Sequence, residues 1–141
     1  MTNSVDNKMV LQQYVAALQA GDGQALGSFF AEDATWTLHA GGLPMSGTWR
    51  GRDQIMGGFF AAAMSNYAPG SVTVEVTAMI ADDDQVVLQW TSRARTSGGQ
   101  PYENGCIGIF TVRDGRIEAV REYMDTLYLS NALAEIETLT P

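Results

Sequence analysis

The chain has 141 residues, 45% hydrophobic and 17% charged, a size and balance that predict one globular domain over residues 1–141 and argue against disorder. Sixteen Asp and Glu against eight Lys and Arg give a net charge of −8, which repels phosphate backbones and anionic lipid surfaces, so neither nucleic acid nor membrane is an expected partner. No apolar run approaches the ~20 residues of a membrane-spanning helix, and the opening MTNSVDNKMV has neither the basic nor the apolar region of a secretory signal, so a cytoplasmic location is expected.

In chain order, Leu11, Tyr14, Val15 and Leu18 form a helical stripe within residues 6–20. Gly21 ends that helix, and Asp22 caps a shorter one carrying Leu26, Phe29 and Phe30. Residues 34–39 alternate as a strand with Trp36 and Leu38 on one side. Glycines 41, 42, 47 and 51, with Pro44, predict a loop over residues 40–51. A third helix is expected over residues 52–64, burying Ile55, Met56, Phe59 and Phe60. Strands follow at 71–80, 86–95, 102–112 and 117–124, separated by turns at Asp82-Asp83-Asp84, at Ser97-Gly98-Gly99 and at Asp114-Gly115. Asp125 can cap a last helix carrying Leu127, Leu129 and Leu133. This order predicts an α+β domain with helices on one face of a curved sheet.

Three blocks, QQYVAALQAGD (12–22), FFAEDATW (29–36) and SGTWRGRDQI (46–55), resemble ketosteroid isomerases and SnoaL-like polyketide cyclases. The ending GQPYENGCIGIFTVRDGRIEAVREYMDT (99–126) resembles the isomerase-related branch of the same superfamily. The resemblance covers nearly the whole chain and implies the cystatin-like, nuclear transport factor 2-like fold: a cone-shaped mixed sheet packed on N-terminal helices, with a conical pocket between them. It also implies dimerisation through the outer sheet face, which Arg93 and Arg95 could line. It implies no single reaction, since this scaffold hosts isomerases, cyclases, epoxide hydrolases and non-catalytic binders.

Strand parity then sorts side chains. With Trp36 and Leu38 facing the cone, the same face carries Val86, Leu88, Trp90 and Ser92, then Asn104, Cys106 and Phe110, then Val120, Glu122 and Met124. Of these, Trp36, Leu38, Trp90, Ser92, Cys106, Val120 and Met124, with Phe59 from the third helix, are the candidate substrate contacts. Flat indoles suit the wall of a small-molecule pocket, and they equally suit a core.

Glu122 is the sharpest catalytic candidate. An unpaired carboxylate on an apolar face is costly, and desolvation there raises its pKa toward the range of a general acid or base. The resemblance places a catalytic carboxylate at a similar position in limonene epoxide hydrolases and SnoaL-like cyclases. The alternative is a structural carboxylate paired with Arg121 or another arginine. Tyr14 matches the helix-one tyrosine that donates to the oxyanion in ketosteroid isomerases, and it also fits as a core tyrosine. Asn104 could orient a substrate carbonyl, hold Glu122, or satisfy a turn.

The sequence departs from the family at decisive positions. Leu38 stands where the isomerases carry their general-base Asp, and Gly108 where their second oxyanion acid falls, so that mechanism does not transfer. The epoxide hydrolase set is incomplete as well, with Trp36, Leu38, Ser92 and Ala94 at positions where it needs polar groups. His39 has the opposite parity and reads as a rim or surface residue, and Asp125 as a helix cap. One cysteine and one histidine exclude an internal disulfide and a Cys/His zinc cluster; no metal and no cofactor are expected. Two functions remain open: a cofactor-independent isomerase, cyclase or lyase acting on a small hydrophobic carbonyl, enol or epoxide, and a non-catalytic ligand-binding or dimeric interaction module.

Overall fold

The computed structural model describes residues 4–39 and 41–139. Ala40, at the head of the segment read as a loop, and the first three residues of the opening read for a signal lie outside it. Helix α1 (Ser4–Ala20) buries Leu11, Tyr14 and Val15. It ends at Gly21, whose φ of 69° supplies the left-handed turn that closes such helices. The Asp22 carboxylate accepts from the Ala25 amide at 3.1 Å and caps α2 (Gly23–Ser28).

Here the first departure from the sequence reading occurs. Phe30 is not on the second helix; it opens strand β1 (Phe30–Leu38). The cause is long-range pairing. The Ile117 amide donates to the Phe29 carbonyl at 2.8 Å, and Arg52 donates to the Phe30 carbonyl through Nε at 3.0 Å and Nη2 at 2.7 Å. A second departure lies in the glycine-rich segment, where β2 (Gly47–Arg50) pairs antiparallel with β1, Trp36 opposite Trp49. Gly47 and Gly51 bracket that strand at φ 98° and 90°, so the glycines that signalled a loop mark its two ends.

The third helix covers the predicted span but is not uniform. It runs through α3 (Arg52–Gln54), a π-helical segment (Ile55–Phe60) and α4 (Ala61–Met64). The wider π turn lets adjacent residues both reach the interior: Phe59 and Phe60 lie 5.0 and 5.2 Å from the Trp36 ring. Gly58 is required where this helix meets β2, because a Cβ there would come within 2.8 Å of the Trp49 ring.

Strands β3 (Thr73–Asp82), β4 (Gln85–Arg95), β5 (Pro101–Arg113) and β6 (Arg116–Met124) form the expected meander. The β5–β6 turn is two residues long, with Asp114 at φ 52° and Gly115 at φ 74°, the backbone signature of a tight hairpin. The sheet order is β2-β1-β6-β5-β4-β3, antiparallel except for the parallel β1–β6 pair. The result is the expected α+β architecture, a curved, unclosed, mixed sheet whose inner face is covered by α1 and the third helix. Helix α5 (Thr126–Leu139) follows β6, and Asp125 caps it by accepting from the Tyr128 amide at 3.0 Å. No helix among the described residues is long and apolar enough to cross a membrane.

Candidate functional site

The parallel β1–β6 register sets Leu38 beside Glu122 and Trp36 beside Val120. From two register positions away, the Trp36 indole Nε1–H reaches across and donates to Glu122 Oε1 at 3.1 Å. Both side chains are buried, Glu122 at 6% exposure. Among the described residues Oε2 has no hydrogen-bond donor, and no arginine or lysine lies within salt-bridge distance of the carboxyl. Arg121, one of the anticipated partners, points to solvent.

Glu122 opens into a cavity of about 140 Å³ enclosed by the sheet, α1, the third helix and the start of α5. Burial pushes its carboxyl up to about 7, opposed in part by the Trp36 hydrogen bond. Near neutral pH it therefore divides between acid and base, the condition a proton-transfer group needs.

Tyr14 lines the same cavity from α1. Its ring packs edge-on against Phe29, Phe30 and Phe110, and no hydrogen bond among the described residues engages its hydroxyl at the cavity wall. Burial first, and the Glu122 carboxylate second, raise its pKa, so it stays a phenol and a donor. Trp36, Leu38, Phe59, Trp90, Ser92, Cys106 and Met124 also line the cavity. The Trp90 indole is turned toward Ser92 Oγ, to which it donates at 3.1 Å. Cys106 is pushed up to about 12, mainly by burial, which keeps it a thiol.

Two of the anticipated residues do not reach the cavity. Val120 is buried between Phe110 and Trp36 in the sheet register and packs beneath the cavity without lining it. Asn104 is buried on the inner face, but its amide is committed at both ends. Nδ2 donates to the Tyr102 hydroxyl at 3.0 Å and the Asp125 carbonyl at 3.1 Å, while Oδ1 accepts from the Asp125 amide at 3.2 Å. Asn104 thus ties the beginning of α5 to β5. His39 is exposed and stacks on Tyr123 at 4.9 Å on the outer side of the sheet.

Tyr102 and Tyr67 line the cavity, and the sequence reading did not single them out. Tyr102 shares the parity of Asn104 and was reachable by extending that set two positions. Because Asn104 donates to its oxygen, the Tyr102 proton is left to be given elsewhere. Tyr67 sits in an irregular segment held by an isolated bridge to Thr96, where no periodicity marks a face. Its ring lies 5.1 Å from Tyr102, and burial followed by the Tyr102 hydroxyl raises its pKa. Met45 and Leu129 complete the wall from a loop and from α5. Among the described residues the lining contains no arginine, lysine or histidine.

The curved mixed sheet packed on N-terminal helices is the fold of solved structures described as nuclear transport factor 2-like proteins. A family model described as a SnoaL-like domain matches residues 11–127, and the chain belongs to that family. One similar structure, from Jannaschia, is described as a SnoaL-like polyketide cyclase: 17% identity, TM-score 0.80, covering 95% of each chain. A second, TerC co-crystallised with polyporic acid, has 20% identity and TM-score 0.80, and covers 92% of this chain and 98% of that one. A third, from Catenulispora acidiphila, has a ketosteroid isomerase-like fold and is in complex with trimethylamine: 24% identity, TM-score 0.67, covering 81% and 83%. These likenesses concern the fold. No curated relative matches the sequence.

Proposed function

We propose that the protein is a cofactor-independent acid/base enzyme of the isomerase, cyclase or lyase type, acting on a small hydrophobic carbonyl, enol or epoxide compound. The observation that carries this reading is Glu122: a buried carboxyl with no counter-cation, held by one indole and facing an apolar cavity with its pKa raised to about 7. As the base it takes a proton from carbon next to a carbonyl and returns it, as the acid, at another position. The charge that develops on the substrate oxygen needs a preorganised donor in a dry site, and the unpartnered Tyr14 hydroxyl supplies one. Asn104 acts through others, by orienting Tyr102 and anchoring α5. Small-molecule binding by the neighbours with polyporic acid and trimethylamine supports a ligand pocket here.

A second reading is binding without turnover, favoured by Leu38 and Gly108 at the positions of the isomerases' acids. We also propose a homodimer through the outer sheet face, where Ile107 and Tyr123 stand 37% and 42% exposed. Solvent-deuterium incorporation into a panel of small cyclic enones separates the two functional readings. The native chain should catalyse exchange and Glu122→Gln should not, while still binding. Ligand binding with no exchange in either protein selects the binding module.

A further inference from the structure

Among the described residues the cavity carries one carboxyl and no positive charge, and the chain as a whole has a net charge of −8. Its wall is built largely of rings, among them Tyr14, Trp36, Phe59, Phe60, Tyr67 and Trp90. Ring faces are electron-rich and attract a desolvated cation, and aromatic enclosures of this kind are a recurrent solution for alkylammonium groups. The Glu122 carboxyl, with Oε2 unmatched, lacks the counter-charge that buried carboxylates ordinarily take. An anionic ligand would meet only like charge in this space.

We infer that the cavity is a binding site for a small tertiary or quaternary alkylammonium group, with Glu122 as its counter-ion and the aromatic wall around its alkyl substituents. The volume agrees: cavities of roughly 150 Å³ hold benzene-sized guests, and this one measures about 140 Å³. The degree of substitution follows from the acceptors. A primary ammonium brings three N–H donors, and a site lined mainly by hydrocarbon leaves some of them unpaired. A tertiary ammonium needs one acceptor, which Oε2 provides, and a quaternary one needs none. The other titratable groups at the cavity, Tyr14 from α1, Tyr67 beyond α4, and Tyr102 and Cys106 from β5, all have raised pKa values and stay neutral. The charge on Glu122 therefore governs the pH dependence of binding.

The test is calorimetric titration of the full chain with tetramethylammonium chloride, tert-butanol and methylammonium chloride at constant ionic strength. Tetramethylammonium and tert-butanol are close in size and differ in charge. At pH 8 tetramethylammonium should bind at least about tenfold more tightly than either of the others, and lowering the pH to 5.5 should cost it about tenfold as Glu122 takes up a proton. Glu122→Gln should erase the preference for tetramethylammonium over tert-butanol. Equal affinity for tetramethylammonium and tert-butanol at pH 8, or a preference indifferent to pH, overturns the inference; the pH series needs no variant. Because binding is read and not turnover, the proton-transfer reading stands or falls separately, by deuterium exchange.

Discussion

Trp36 donates its indole proton to the Glu122 carboxyl at 3.1 Å across the parallel β1–β6 pair. The contact joins residues 86 positions apart and fixes one carboxyl oxygen while leaving the other to the cavity. It also sets the proton affinity. Burial raises the pKa of Glu122 and the indole hydrogen bond lowers it, and the outcome near 7 places the change of charge at neutral pH.

That balance makes stability depend on pH. The folded-state pKa of Glu122 lies above its ordinary value of 4.5, so the folded protein holds the proton more tightly than the unfolded chain does. This contribution is fully present below pH 4.5, is lost as pH rises through about 7, and is constant above. Integrated over the shift, the loss is roughly 3 kcal/mol. Glu122→Gln, which imitates the protonated form, should be the more stable protein at pH 8 by up to that amount. At pH 4 it should match the native chain. Urea denaturation at the two pH values measures the difference, and a pH-independent gap would mean that Glu122 does not titrate in this window.

Tyr14→Phe separates chemistry from structure. The hydroxyl has no protein partner among the described residues, and the ring contacts survive the change. Stability should therefore move by no more than about 0.5 kcal/mol. Turnover in the deuterium-exchange assay should fall about 100-fold if the phenol meets the oxyanion. A fall in stability with unchanged turnover would make Tyr14 a core residue only.

Gly108 leaves no steric room for a side chain at the position where the resemblance implies the isomerases' second acid. A Cβ at this position would lie 2.7 Å from the Phe110 ring and 3.2 Å from the Trp90 ring. Gly108→Ala should cost about 1–3 kcal/mol by overpacking. Gly108→Asp, which restores the acid of the isomerases, should cost more and confer no isomerase activity. Thermal unfolding of the two variants orders them.

How far the sequence was legible follows from the range of each signal. Two-residue alternation around Trp36, Trp90 and Glu122 placed all three on the inner face, because strand parity is local and does not depend on what pairs with what. The same rule reached Asn104 but not its engagement, since the Asp125 backbone that consumes its amide comes from a turn 21 residues away. Phe30 was misread because helix periodicity continued into a residue that pairing with Ile117 draws into the sheet. The strand at Gly47–Arg50 was hidden by glycines whose positive φ values mark its ends. Tyr67 carried no pattern at all, only an irregular segment that tertiary contacts hold against Tyr102.

Asn104 provides the last test, because its three hydrogen bonds join β5, the β6–α5 junction and the Tyr102 phenol. Asn104→Ala removes them together and leaves the Asp125 amide and carbonyl without their buried partner, which should cost about 2 kcal/mol. The damage should be local. Amide hydrogen exchange should accelerate at the start of α5 and stay unchanged in β3, the edge strand that β4 separates from β5. Leu129, on α5, lines the cavity, so loosening that helix should also weaken ligand binding. Asn104→Asp keeps the acceptor for the Asp125 amide but sets a carboxylate oxygen against the Asp125 carbonyl where a donor stood. It should be no better than the alanine variant. If instead Asn104→Ala abolished turnover while α5 stayed protected, Asn104 would have to act on the substrate directly.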